Sequence, residues 1–229
     1  MQATTREGKE RGGLGQGIYS LSELRLYLAF HGTPDDGDRA LYWLQNALNP
    51  VDHRARQPDY SFSDLVSLLV VRELVDLGME PHDIRDAERY LRKRFKTARP
   101  FVNQEIATDG KVVFIRSDVE DQVESANHGG GQQAHRKVVG PYLKRVRYVH
   151  TDAKDWTPAV AWSPSRGVVL NPAIQFGAPV IEGTRVPTSA VADIAGSAGV
   201  ATASDRLGVR VEGAKAAVKF EQALAAAYG

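Results

Sequence analysis

Side chains able to do covalent or metal chemistry are few and scattered along the 229 residues. There is no cysteine, so disulfides, thiol chemistry and cysteine-bearing zinc sites are excluded. The six histidines, at positions 31, 53, 82, 128, 135 and 150, never fall at metal-ligand spacing. His128 and His135 flank a Gly-Gly-Gly-Gln-Gln stretch that lacks a third ligand, and it also lacks the Gly-Lys-Ser/Thr ending of a phosphate loop. No serine, histidine and aspartate pattern or convergent carboxylate set stands out. The expectation is a protein that is not an enzyme and carries neither cofactor nor metal. Chemistry of another kind is available in arginines and side-chain amides, which recognise phosphates and base edges. Seven cations crowd residues 85–99: Arg85, Arg89, Arg92, Lys93, Arg94, Lys96 and Arg99. They suit either a nucleic-acid backbone or a solvated face paired with Asp86 and Glu88.

The elements that must position these groups are legible from period and punctuation. Ser20-Leu-Ser-Glu23 is a capping box, followed by Leu21, Leu24, Tyr27 and Leu28 at helical spacing. A second helix is expected from about Asp36 to Leu48, with Ala40, Leu41, Leu44 and Leu48 on its apolar stripe, stopped by Asn49-Pro50. A polar loop with His53, Arg54 and Arg56 leads to another box at Ser61 and Asp64. The helix it opens runs to Gly78, and Pro81 begins a fourth.

The order helix, helix, short polar wing, helix, helix, with Tyr-Ser-Leu-Ser-Glu-Leu-Arg at 19–25 and Leu-Val-Asp-Leu-Gly-Met-Glu-Pro-His-Asp-Ile-Arg at 74–85, resembles the MerR-type winged helix-turn-helix domain. That resemblance, which covers residues 17–99, implies that the second helix enters the major groove. Arg39, Trp43, Gln45 and Asn46 are then the candidate readers, since Arg matches guanine and Asn or Gln matches adenine. His53, Arg54 and Arg56 would hold flanking phosphates. The bland alternative is open for each: Trp43 as core, the others as solvated surface.

Beyond Pro100 the period shortens. Residues 101–106 and 111–115 around Asp109-Gly110 read as a β-hairpin. Residues 117–123 read as a short helix at best, and 146–149, 158–162 and 167–170 as short strands that join the hairpin or serve as a linker. Residues 175–188, Gln-Phe-Gly-Ala-Pro-Val-Ile-Glu-Gly-Thr-Arg-Val-Pro-Thr, pack two glycines and two prolines into an apolar run, which makes a shaped turn. Three helices are expected after it, the last with Val218, Phe220, Ala223 and Leu224 inward. Within this stretch Gly177, Pro179, Gly183, Thr184, Arg185 and Pro187 carry a resemblance to the opening of the helical domain of VapB-like antitoxins. Arg185 either anchors the turn through backbone carbonyls or stands exposed for a partner.

The expected fold is therefore mainly α with a small β component. Residues 1–16 are a disordered lead-in without a signal-peptide core, 17–99 the winged unit, 100–170 a hairpin and small sheet, and 171–229 the helical unit. No apolar run reaches the length of a bilayer, so no membrane partner is expected, and the cytoplasm is the expected location. The resemblances together imply an antitoxin that represses its own operator DNA as a homodimer and neutralises a VapC-like PIN-domain ribonuclease. The alternative is a ligand-sensing regulator with an effector pocket in the middle sheet.

Overall fold

The structure, a computed structural model, describes residues 17–50, 59–103, 106–108, 113–116, 122–125, 133–135, 145–149 and 157–227. The fold is mainly α with a small β component. Five helices come first: α1 (Leu21–His31), α2 (Pro34–Asp38), α3 (Ala40–Asn46), α4 (Phe62–Asp76) and α5 (Pro81–Phe95). The boxes at Ser20/Glu23 and Ser61/Asp64 cap α1 and α4 reciprocally, as their spacing requires. The single helix expected over 36–48 is instead two. Thr33, Pro34 and Asp36 start α2 early through a third capping box, and Arg39, at φ −77° and ψ −8°, breaks the ladder before α3.

Strands β1 (Ile106–Thr108), β2 (Val113–Arg116), β3 (Gln122–Ser125) and β4 (Gln133–His135) form one antiparallel meander. The expected strand pairing is present, with Ile106 opposite Ile115 and Thr108 opposite Val113, while the Asp109-Gly110 turn lies outside the described residues. Its first strand starts later than expected because residues Pro100–Val102 form a 3₁₀ turn, whose Phe101 and Val102 are buried against the helices. Of the short helix expected at 117–123, Gln122 and Val123 are strand in β3, where cross-strand pairing with β2 settles the backbone; residues 117–121 lie outside the described residues.

A second antiparallel sheet holds β5 (Val146–Tyr148), β6 (Ala159–Trp162), β7 (Val168–Leu170) and β8 (Pro179–Ile181), in that order. The three expected strands are therefore separate from the hairpin. Their fourth partner comes from inside the Gly/Pro-rich stretch, with Leu170 opposite Pro179. Helices α6 (Thr188–Ala198), α7 (Val200–Leu207) and α8 (Val211–Ala226) follow. On α8, Phe220 and Leu224 are buried as expected and Val218 half-buried, whereas Ala223 is exposed.

One cluster of buried side chains runs from Leu24, Trp43 and Leu68 through Phe101 and Trp162 to Phe220 and Leu224. Trp162 meets Tyr27 and His31 edge-on, at 6.2 and 5.8 Å between ring centres; Trp156 lies outside the described residues. A smaller cluster around Ile181, Val191, Ala203 and Ala217 holds α6, α7 and α8 together. No helix among the described residues is long and apolar enough to cross a membrane.

Candidate nucleic-acid interface

Two glycines let α2 settle into the end of α1. A side chain on Gly37 would meet the Arg25 carbonyl oxygen of α1 at 2.7 Å, and one on Gly32 would meet Asp36 Oδ2 at 2.2 Å. Buried Asp36 accepts the Thr33 amide at 2.8 Å and the Arg72 Nε of α4 at 3.1 Å. Arg72 also pairs with Glu73 and Asp76, at 2.8 and 2.7 Å. His31 lies 3.2 Å from Glu73, and this hydrogen bond, opposed by burial and helped by Arg72, holds the Glu73 carboxyl below its usual range. The entry to α3 is thus tied to α1 and α4 by short, mostly charged contacts.

On α3 the positions Arg39, Tyr42 and Asn46, spaced three and four apart, share one exposed face, with Gln45 beside it. Tyr42 is 52% exposed. Asn46 Nδ2 donates to the Tyr42 carbonyl at 2.9 Å, which leaves its amide oxygen free to accept. Trp43 is not a reader: it is 1% exposed and sits in the core opposite this face. Sequence reasoning missed Tyr42, although its place three residues after Arg39 is the signal that could have found it. His53, Arg54 and Arg56, expected on a wing, lie outside the described residues.

The segment leaving α3 is clamped by α5. Buried Arg99 donates from Nε to Asp64 at 2.6 Å, and from a terminal nitrogen to the Asn49 carbonyl at 2.8 Å and Glu88 at 3.3 Å. Glu88, itself fully buried, accepts from the Asn49 amide at 3.1 Å and from its side chain. Burial raises the Glu88 carboxyl above its usual range, against the opposing pull of Asn49 and Arg99. Arg85 and Arg92, one turn apart from Arg89 along α5, donate to the carbonyls of Gln45 and Pro50, each at 3.3 Å. A row of cations therefore runs along α5 beside the end of α3. Of the cations at 85–99, Arg99 proves structural, and Arg89 pairs with Asp86 at 2.6 Å on the surface.

This polar helix face, docked beside a basic one, can be set against known proteins. No family model matches the chain. Over 95 residues it is 30% identical to uncharacterised HTH-type transcriptional regulators of Mycobacterium tuberculosis and Mycobacterium bovis. The match takes in 39% of this chain and 41% of theirs, so less than half of those relatives is represented. The crystal structure of Rv2018 from Mycobacterium tuberculosis covers 87% of this chain and 96% of its own, with a TM-score of 0.57 and 19% sequence identity. At that identity the likeness is one of fold.

The Gly/Pro-rich stretch forms a turn within the second sheet. The Thr184 amide and hydroxyl both donate to the Ile181 carbonyl, at 3.0 and 2.9 Å, with Gly183 at φ +79° in the third place, as a type II turn demands. Pro187 pairs with Val180, which closes the free side of β8. Thr188 donates to the Pro179 carbonyl at 3.3 Å and to Glu221 on α8. Arg185 is exposed, and among the described residues only its backbone carbonyl is engaged, by Gln175 Nε2 at 3.1 Å. Its side chain therefore does not anchor the turn.

Upstream, Gly177 at φ +92° lies against Tyr19, whose hydroxyl donates to the Gly177 carbonyl at 2.9 Å. Burial raises the Tyr19 hydroxyl far above its ordinary pKa, so it stays a donor. Tyr19 also exchanges both backbone hydrogen bonds with Tyr60, at 2.8 Å each. One residue thus joins the start of α1, the approach to α4 and the shaped turn.

Proposed function

We propose that the chain is a DNA-binding transcription regulator that lays the Arg39, Tyr42, Gln45 and Asn46 face of α3 in the major groove. The observation that carries this is the rigid seating of that polar face. Gly32, Gly37 and the Asp36–Arg72 pair fix it on one side, and the cationic face of α5 abuts its end. Arg39 offers a bidentate fork to guanine, and Asn46 or Gln45 a donor and acceptor pair to adenine. Arg85 and Arg92 are placed to approach the flanking phosphates, which set register. The HTH-type regulators that the chain resembles support this reading.

Within it, the further role we propose is that of an antitoxin, acting as a homodimer on a palindromic operator and neutralising a VapC-like PIN-domain ribonuclease. The residues at 175–188 support that step by their likeness to VapB-like antitoxins, and no catalytic step is assigned to the chain. Two measurements test the two levels. Fluorescence anisotropy with duplex from the chain's own promoter should show Arg39→Ala with Asn46→Ala losing about 1–3 kcal/mol per base contact, with an unchanged melting curve. Wild-type affinity in that variant would remove α3 as the reader. For the partner, co-purification with the product of the adjacent gene should silence a ribonuclease. DNA binding without any such partner would leave a stand-alone regulator.

A further inference from the structure

Away from α3, the second sheet and the last helices enclose two adjoining cavities of about 870 and 430 Å³ that share Arg166, Gly167 and Glu182. The Glu182 amide donates to the Gly167 carbonyl at 2.9 Å, tying the β6–β7 turn to the Gly183 turn. Gly213, on the first turn of α8, allows Ile181 to pack so closely that a side chain there would meet Ile181 Cγ2 at 2.9 Å. The result is one trough with guanidiniums from three elements. Arg145 and Arg147 come from the sheet edge at β5, Arg166 from the β6–β7 turn and Arg210 from the α7–α8 turn. All four are exposed, and among the described residues none forms an ion pair. Arg145 is held on the turn by a bond to the Pro164 carbonyl at 3.2 Å. Among the described residues no side chain caps α8, whose first turn brings Glu212 and Gly213 to the lining beside Arg210. In the floor, Ser165 Oγ is buried and has no hydrogen-bond partner among the described residues.

We infer that this trough binds the phosphodiester backbone of a nucleic acid, as a second contact surface distinct from α3. Among the described lining residues four forked cations stand with two carboxylates, Glu182 and Glu212, around space of about 870 and 430 Å³, room for more than one phosphate group. Guanidiniums match phosphate oxygens in pairs, and an uncapped helix start favours the same anion. Among the described residues the lining holds no Asn or Gln, the side chains that read adenine, and its contacts to a strand run through arginine forks, which we assign to the phosphates. The inference rests on the chain being a DNA-binding protein.

The test is anisotropy of the full-length chain with an operator duplex and a random-sequence duplex over a salt series. Arg166→Ala with Arg210→Ala should weaken both duplexes by the same factor. It should also flatten the slope of log affinity against log salt by roughly 0.9 for each phosphate no longer neutralised, about 2 in all. Arg39→Ala with Asn46→Ala should instead erase the preference for operator and keep the random-duplex slope. Should the double alanine variant melt early, Arg147→Glu at the sheet edge must by itself weaken random-duplex binding. Unchanged affinity and slope in a trough variant, with operator binding intact in the wild type, would overturn this inference alone. So would displacement of a polyglutamate probe but not of DNA from the trough, which would give the surface to an acidic protein. A wild-type chain that binds neither duplex would end both readings together.

Discussion

Arg99 stands 2.6 Å from Asp64 and 3.3 Å from Glu88 with only 5% of its side chain exposed. Removing the guanidinium leaves Asp64 and Glu88 buried without the cation that both face. Arg99→Ala is expected to cost about 3–5 kcal/mol in urea unfolding, the usual penalty for orphaning a buried charge. The same site sets a pH dependence. The folded pKa of Glu88 lies above its unfolded value, so the native state holds this proton more tightly. Its contribution to stability is complete below the ordinary carboxyl range and is lost as pH rises through the folded pKa. Glu88→Gln keeps an acceptor for Asn49 and removes the charge. Its unfolding free energy should therefore fall less than that of the wild type from about pH 5 to pH 8; an equal fall would place the titration elsewhere. Glu73, lowered by His31, runs the other way and loses its contribution as pH drops. At Gly183 the issue is backbone alone. Its φ is +79°, yet nothing lies within 4 Å of an added side chain. Gly183→Val should lower stability by about 1–2 kcal/mol and Gly183→Asn by less, since Asn tolerates the left-handed region. A wild-type melting curve for the valine variant would show that the turn adapts.

At the scale of elements, the docking of α2 on α1 is the contact on which the proposed reading face of α3 depends. The Arg25 carbonyl belongs to a helix backbone and has little freedom to retreat from a methyl group 2.7 Å away. Gly37→Ala is thus expected to cost about 1–3 kcal/mol by overpacking, and to weaken operator binding beyond what the reduced stability explains, because α3 shifts with α2. Full affinity in a destabilised variant would detach α3 from this contact. Elements governed by local chemistry are legible in the sequence: the capped starts of α1 and α4, the Pro81 start of α5, the pairing of β1 with β2 and the three last helices. What escapes it depends on distant partners. Arg39 has nothing in its local pattern to announce a break, yet α2 must turn to bring Asp36 onto Arg72, 36 residues away. Strand β8 sits in a Gly/Pro-rich stretch and is a strand only because β7 pairs with it. Trp43 and Leu44 are adjacent and both buried, together with Ala47 and Leu48. A stripe that wide blurs the boundary between core and reader, so the pattern alone groups Trp43 with the readers and passes over Tyr42.

Across the whole molecule, the candidate reading unit and the last helices share one core. Phe30 at the end of α1 meets Phe220 on α8 edge-on, with ring centres 5.2 Å apart, and Phe220 is 2% exposed. Tyr19 adds a buried hydrogen bond from the start of α1 to the Gly177 turn, and its neighbour Ile18 donates to the Phe176 carbonyl at 3.0 Å. Stability carried by contacts of this kind cannot be assigned to either half separately. Phe220→Ala should cost about 3–5 kcal/mol as a large-to-small change in a closed core. The informative readout is where that loss is felt. If the core is one cooperative unit, amide hydrogen exchange should accelerate in α1 and α4 as much as in α8, and unfolding followed by ring environment and by backbone signal should coincide. Faster exchange confined to α6, α7 and α8 would mean that the two halves open separately. A single unit has a consequence for the proposed regulator: Phe220→Ala should weaken operator binding at temperatures where the destabilised chain begins to unfold, because the seat of α3 then opens together with α8. Two independent units would deny that coupling, and the affinity for operator would then be indifferent to Phe220→Ala.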